Sequence, residues 1–132
     1  MIKVTYDEQD NAVILEFEGD VDAAQAERIF SDFEKVLPKS GKGFTLLADF
    51  SSVQSMELPV KRNIEKAMEL FSARGVTEII RVLPDPDMKT GFNIMSRSRY
   101  GRDTKIVTLH SREEAMARLR NEKKVARDSP KN

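Results

Sequence analysis

A nearly continuous apolar segment, Phe-Thr-Leu-Leu-Ala-Asp at residues 44–49, constrains the fold more than any other feature of the sequence. A short apolar run of this kind is typical of a strand that is buried on both faces. Such strands occur in the centre of parallel sheets, where helices cover each side. The segment therefore predicts an α/β domain with this strand near the middle of its sheet.

The residues on either side of this strand predict a hairpin followed by alternating helices and strands. Apolar and polar residues alternate over 2–6 and 12–18, with a polar turn between them, as in an antiparallel hairpin. The remaining segments are four predicted helices, at about 22–37, 59–74, 88–100 and 111–119, and two predicted strands, at 78–83 and 105–109. The order ββαβαβαβα predicts a mixed, mostly parallel sheet of about five strands covered by helices.

Two of the predicted helices begin with a capping box, in which the first residue and the third residue after it exchange hydrogen bonds. Asp22 is followed by Gln25 at this spacing, and Ser111 is followed by Glu114. Pro59 suits the first turn of the second helix, because its missing N–H has no helical partner there. These signals fix three helix starts independently of the apolar pattern.

The chain has the length and composition of one soluble domain. It has 132 residues, of which 39% are hydrophobic and 33% are charged, and it has no cysteine. No apolar run approaches the roughly 20 residues of a membrane span, and no signal-peptide pattern precedes the first strand. We expect a cytoplasmic, non-membrane-spanning domain over residues 1–120. A disordered tail is expected over 121–132, which lacks an apolar stripe.

No pattern in the sequence predicts catalysis or a cofactor. His110 is the single histidine, and one histidine cannot form a usual zinc site. The nucleophile-elbow motif and the glycine-rich phosphate-binding motifs are absent from the sequence. Glu16 and Glu18 lie two apart on a strand, so we expect a solvated pair rather than an acid–base pair. The net charge of zero argues against nucleic-acid binding. We therefore expect a protein that is not an enzyme and binds no cofactor.

The segment that follows the central strand resembles that of STAS domains and anti-sigma-factor antagonists, the SpoIIAA-like fold. Leu-Leu-Ala-Asp-Phe-Ser-Ser-Val at 46–53 and Gly-Asp-Val-Asp at 19–22 carry the resemblance, which spans about residues 2–119. The pair Met56 and Glu57 is similar to a divergent, uncharacterised bacterial branch of that superfamily. The resemblance implies a regulatory domain that acts by binding a protein partner.

One position departs from the pattern of the antagonists. In that family a partner kinase phosphorylates a serine that follows an acidic residue at the start of the second helix. The matching positions here are Glu57 and Leu58, and a leucine cannot accept phosphate. Ser55 lies three residues too early. The resemblance therefore does not supply a phosphoserine switch to this chain.

Residues 49–58 are interpreted as a partner-binding loop. The loop follows the carboxyl end of a central strand, where ligands bind in open α/β sheets, and it leads into a helix N-terminus. Its predicted contact residues are Asp49, Ser51, Ser52, Ser55, Glu57 and Leu58. The alternative is that Asp49 and the serines only satisfy turn and cap hydrogen bonds.

A basic cluster and a predicted apolar pocket offer further binding hypotheses. Arg97, Arg99 and Arg102 could bind an anion, or they could be ordinary surface arginines. The alternative function is a small-molecule or lipid carrier with an apolar pocket between the sheet and helix 88–100. Methionines in that helix and a similarity of the wider fold to Sec14-type lipid-binding domains favour this alternative. The first strand of the hairpin also permits a homodimer, because sheet edges pair readily.

Overall fold

A computed structural model describes residues 1–41, 43–83, 86–101 and 103–128, which form one sheet and the helices around it. The strands are β1 (Ile2–Asp7), β2 (Ala12–Val21), β3 (Thr45–Met56), β4 (Glu78–Val82) and β5 (Lys105–Leu109). The helices are α1 (Ala23–Val36), α2 (Leu58–Ala73), α3 (Pro86–Arg99) and α4 (Arg112–Asp128), and a 3-10 turn (Leu37–Lys39) follows α1.

The sheet has the order β1-β2-β3-β4-β5, so strands that are consecutive in the chain are neighbours in the sheet. β1 and β2 are antiparallel, and every later pair is parallel. This topology confirms the predicted α/β class and element order. Because the parallel strands advance in one direction, crossovers of one hand place α1, α2 and α3 on the same face. The fourth helix, α4, covers the opposite face.

Side chains that alternate along β3 supply the two cores of the domain. Leu46, Ala48 and Phe50 join the larger core beneath α1, α2 and α3, whereas Leu47 joins the smaller core beneath α4. All six residues from Thr45 to Phe50 are buried. The prediction that this strand is covered on both faces is therefore confirmed.

The prediction of a loop after residue 49 is wrong for residues 50–56, which continue β3 to Met56. β2 is also longer than predicted and runs through the Gly-Asp pair to Val21. The pairing of β2 with β3 contains two register shifts and continues to the ends of both strands, where Val21 lies opposite Met56. Gly19 lies beside the second shift with a φ of 66°, a conformation that glycine adopts without strain. Only Glu57 separates β3 from α2.

The three helix starts that were predicted from the capping boxes and Pro59 agree with the structure, whereas α3 begins at Pro86 and not at residue 88. The Asp22 Oδ1 accepts from the Gln25 N–H at 2.8 Å and the Gln25 Oε1 accepts from the Asp22 N–H at 3.2 Å, which confirms this capping box. At α4 the Ser111 Oγ accepts from the Glu114 N–H at 3.2 Å and donates to the Glu114 carboxylate. Pro59 lies in the first turn of α2.

The C-terminal helix is longer than the sequence predicted. α4 runs to Asp128, so residues 121–128 have a helical backbone where a disordered tail was expected. This segment is rich in Lys, Arg, Glu and Ala, which have high helix propensity, and it contains no proline. Residues 129–132 lie outside the described part of the chain, and the domain bounds 1–120 stay a prediction. No helix in the described ranges is both long and apolar enough to cross a membrane.

Candidate functional site

The first predicted contact residue, Asp49, lies on the face of the sheet that α4 covers. Its side chain is only 8% exposed, and its carboxylate accepts from the Ser51 N–H at 2.9 Å. Arg112, the first residue of α4, contacts Asp49 at 3.4 Å and Glu16 at 2.8 Å. The hydrogen bond to Glu16 is the largest cause that raises the pKa of Arg112. We call this arrangement the Arg112 bridge.

The Arg112 bridge corrects one expectation about β2. Glu16 is not a solvated member of a pair with Glu18, because it lies beside Asp49 on the neighbouring strand and shares its cation. Asp49 likewise has all its observed contacts inside the fold. The geometry therefore matches the alternative interpretation of Asp49, in which it satisfies internal contacts.

Four of the predicted contact residues instead form an exposed ridge at the end of β3 and the start of α2. This β3–α2 ridge comprises Ser52, Ser55, Glu57 and Leu58. The Ser55 hydroxyl donates to the Asp20 carboxylate at 2.5 Å. Glu57 occupies the N-cap position of α2, but its side chain makes no capping hydrogen bond. Leu58 is 77% exposed, the largest exposure of any large hydrophobic side chain in the described residues.

A groove with a volume of about 620 Å³ lies beside the ridge, between α2 and α3. The apolar side chains of this α2–α3 groove are Val53, Met56, Ile64, Met88, Phe92, Ile94 and Met95. Ile94 is 64% exposed. The sequence did not reveal the groove, because it forms only where α2 and α3 lie side by side in the fold.

Two arginines of the predicted basic cluster, Arg97 and Arg99, have different surroundings. Arg99 points to α2, where it contacts Glu65 at 2.8 Å and Glu69 at 3.4 Å. Its pKa is raised chiefly by the hydrogen bond to Glu65. Arg97 is exposed and lines a different pocket, described below, and Arg102 lies outside the described residues.

That pocket lies between α3 and the strands β4 and β5, around the buried side chain of Arg81. Arg81 is 4% exposed. Its Nε donates to the Thr108 hydroxyl at 2.7 Å, its Nη1 to the Ser96 hydroxyl at 3.2 Å and its Nη2 to the Asn93 side-chain carbonyl. The guanidinium carbon is 6.0 Å from the centre of the Phe92 ring. All of these partners are neutral.

The electrostatics of this Arg81 pocket follow from burial. Burial lowers the pKa of the Arg81 guanidinium and raises the pKa of the Tyr100 hydroxyl, which lines the same pocket. The pocket has a volume of about 500 Å³. An arginine within the otherwise apolar segment 79–83 is a signal for this site that is visible in the sequence.

Comparison with solved structures identifies the fold family. The structure superimposes on the anti-sigma factor antagonist SpoIIAA in its unphosphorylated form with a TM-score of 0.64, at 18% identity over 91% of this chain and 98% of that chain. The chain has the SpoIIAA-like fold. No protein-family model matches the chain, and no curated protein is similar to it in sequence.

Two further solved structures share the SpoIIAA-like fold with this chain. An uncharacterized protein with a SpoIIAA-like fold from Shewanella loihica has a TM-score of 0.67, at 11% identity over 90% of this chain and 92% of that chain. A putative anti-sigma factor antagonist from Thermotoga maritima has a TM-score of 0.58, at 19% identity over 91% of this chain and 95% of that chain. The predicted resemblance in fold is therefore confirmed.

A small apolar cavity lies between the sheet of this SpoIIAA-like domain and the helices α1, α2 and α3. This cavity is lined by side chains such as Phe50 and Phe92 and has a volume of about 50 Å³. Pockets for small organic ligands are usually about 300–1,000 Å³. The cavity is too small for a lipid in this conformation, and the carrier function stays a prediction.

Proposed function

We propose that this SpoIIAA-like domain is a non-enzymatic regulatory module that binds a protein partner through the β3–α2 ridge and the α2–α3 groove. The observation that carries the proposal is the exposure of Leu58 and Ile94, at 77% and 64%, beside an apolar groove. Large apolar side chains that remain exposed around a groove are characteristic of protein-binding surfaces.

The composition of the groove suits a peptide or helix of a partner. Met56, Met88 and Met95 contribute flexible, polarisable side chains that adapt to an apolar ligand. Lys61 and Glu65 lie at its edge and provide polar contacts. A partner segment with spaced apolar residues would bury these methionines together with Ile94.

The start of α2 supplies a second contact. The Glu57 side chain does not cap α2, so the positive end of the helix dipole is available to an acidic group of the partner. Leu58 next to it would contribute apolar area. In this proposal the contact at position 58 is a permanent apolar one and depends on no phosphorylation.

The solved structures support a protein partner at the level of the fold. Those of SpoIIAA and of the Thermotoga maritima protein are described as anti-sigma factor antagonists, and an antagonist of this kind acts on another protein. Sequence identities below 20% support a shared fold but do not identify a shared partner. The proposed surface is therefore argued from this chain's own exposed residues.

The proposal is tested by affinity capture with quantitative mass spectrometry, using the wild type and the variants Leu58→Asp and Ile94→Asp. Both substitutions place a charge where the partner's apolar side chains would lie, so we expect recovery of the specific partner to fall at least about 10-fold. Ala24→Asp is the matched control, because Ala24 is exposed on α1 and lies outside the groove.

The control variant should recover the same partner as the wild type. The proposal fails if both groove variants recover that partner as well as the wild type does. It also fails if the wild type enriches no protein over the Leu58→Asp variant. Thermal unfolding of each variant separates lost binding from lost folding.

A further inference from the structure

Among the residues that the structure describes, no counter-charge contacts the buried guanidinium of Arg81, and the proposed protein-binding surface does not explain this burial. Burial of an ion costs several kcal/mol unless an opposite charge or a ligand compensates. Within the described residues Arg81 has only neutral hydrogen-bond partners and no ion pair. A buried cation that has only neutral partners can bind an anionic ligand from outside the chain.

The pocket retains hydrogen-bond donors for such an anion. A guanidinium has five N–H groups, and three of those of Arg81 are used by Thr108, Ser96 and Asn93. The Thr108 hydroxyl accepts from Arg81 and so keeps its own proton to donate. Tyr100 also lines the pocket, and its phenol is protonated at neutral pH because its ordinary pKa of 10.0 is well above 7 and burial raises that pKa further.

The remaining lining residues make the pocket strongly positive. Lys89 and Arg97 lie on the pocket side of α3, and both are exposed. No acidic residue is among the side chains that line the pocket in the described part of the chain. Three cations around one space favour an anion with more than one negative charge.

We propose that the Arg81 pocket binds a phosphate group, with Arg81 as the buried contact and Lys89 and Arg97 at the opening. Guanidinium groups match phosphate oxygens with two parallel hydrogen bonds, and a phosphate monoester carries about 1.5 to 2 negative charges at neutral pH. The volume of about 500 Å³ admits free phosphate or the phosphate ester of a small molecule. Ile106 and Gly101 provide an apolar wall for the organic part of an ester.

Isothermal titration calorimetry with inorganic phosphate and, separately, with ribose 5-phosphate tests the site. We expect at least one of the two to bind the wild type, and sodium chloride at equal ionic strength to give no signal. Arg81→Met should abolish binding. The double variant Lys89→Gln with Arg97→Gln should weaken it at least about 10-fold, because two of the three charges at the site are lost.

The control is the double variant Arg28→Gln with Lys35→Gln, which removes the same charge from exposed positions of α1 outside the pocket. It should bind as the wild type does. Binding of inorganic phosphate alone would identify free phosphate as the ligand, and stronger binding of ribose 5-phosphate would identify an ester.

The proposal is overturned if neither probe binds the wild type, or if the Lys89 and Arg97 double variant binds as tightly as the control. The double variant changes only exposed side chains, so this outcome is informative even if Arg81→Met does not fold. Circular dichroism of each variant verifies folding before titration.

Discussion

Two arginines of this protein face opposite sides of the sheet and differ in what surrounds their charge. Arg112 is 44% exposed, yet it contacts the carboxylates of both Glu16 and Asp49. Arg81 is 4% exposed, yet its contacts are two hydroxyls, an amide and a ring. A cation that has its carboxylates holds the structure together. The more deeply buried cation has no carboxylate partner in the described part of the chain, and we propose that it binds a ligand.

The structural role of Arg112 is tested by a substitution at the Arg112 bridge, where we expect the largest loss of stability. Arg112→Met leaves the nearly buried carboxylate of Asp49 without its cation. Removal of one partner of a fully buried pair costs about 3–5 kcal/mol, and the exposure of Arg112 reduces this to about 2 kcal/mol. Urea unfolding at neutral pH measures the change.

The exposed residue Arg28 on α1 provides the control for this variant. Arg28→Met removes the same charge and should change the free energy of unfolding by less than about 0.5 kcal/mol. An equal effect of the two substitutions would contradict the structural role of Arg112.

Arg81→Met should change stability less than Arg112→Met does. The substitution removes an uncompensated buried charge and three hydrogen bonds at once, and replacement of buried ions by apolar residues of similar size is often neutral or stabilising. We expect a change within about 1 kcal/mol in the free energy of unfolding, measured without phosphate. A loss larger than that of Arg112→Met would show that Arg81 is itself a structural cation.

Burial of the Tyr100 hydroxyl beside Arg81 predicts a pH dependence of the folding stability. Burial raises its pKa above the ordinary value of 10.0, so the folded state holds the phenolic proton more tightly than the unfolded state does. This contribution is fully present below about pH 10 and is lost as the pH rises towards the folded-state pKa. Tyr100→Phe should therefore lose less stability than the wild type between about pH 9 and pH 11, measured by thermal unfolding. Parallel curves for the two proteins would show that the hydroxyl is not buried.

The smallest effects are expected at the exposed apolar side chains of the β3–α2 ridge and the α2–α3 groove. Leu58→Asp and Ile94→Asp alter side chains that are 77% and 64% exposed, so the free energy of unfolding should change by less than about 0.5 kcal/mol. Chemical denaturation of both variants measures this. A large loss of stability would mean that these side chains pack within the fold and would remove the basis of the proposed protein-binding surface.

The parts of the fold that the sequence predicted are those set by local signals. The buried strand that supplies Leu46 and Leu47 follows from a continuous apolar run, and the start of α1 follows from the Asp22–Gln25 spacing. The order of the helices and strands was predicted from the alternation of helical and strand patterns along the sequence. Each signal lies within a few residues of the chain.

The parts that were missed depend on contacts between distant residues. The extension of β3 to Met56 requires pairing with β2 across two register shifts. Arg112 and Asp49 are 63 positions apart in the chain, so nothing local indicated that Asp49 faces α4. The neutrality of the surroundings of Arg81 is visible only after α3 lies over β4 and β5.

The claim that one arginine is structural and the other binds a ligand is tested most directly by nuclear magnetic resonance of the arginine side-chain Nε–H groups. Inorganic phosphate is added to the wild type at constant ionic strength. The account predicts that the Arg81 signal shifts and saturates while the Arg112 signal stays in place. A shift of Arg112 alone, or no saturating shift at Arg81, would contradict it.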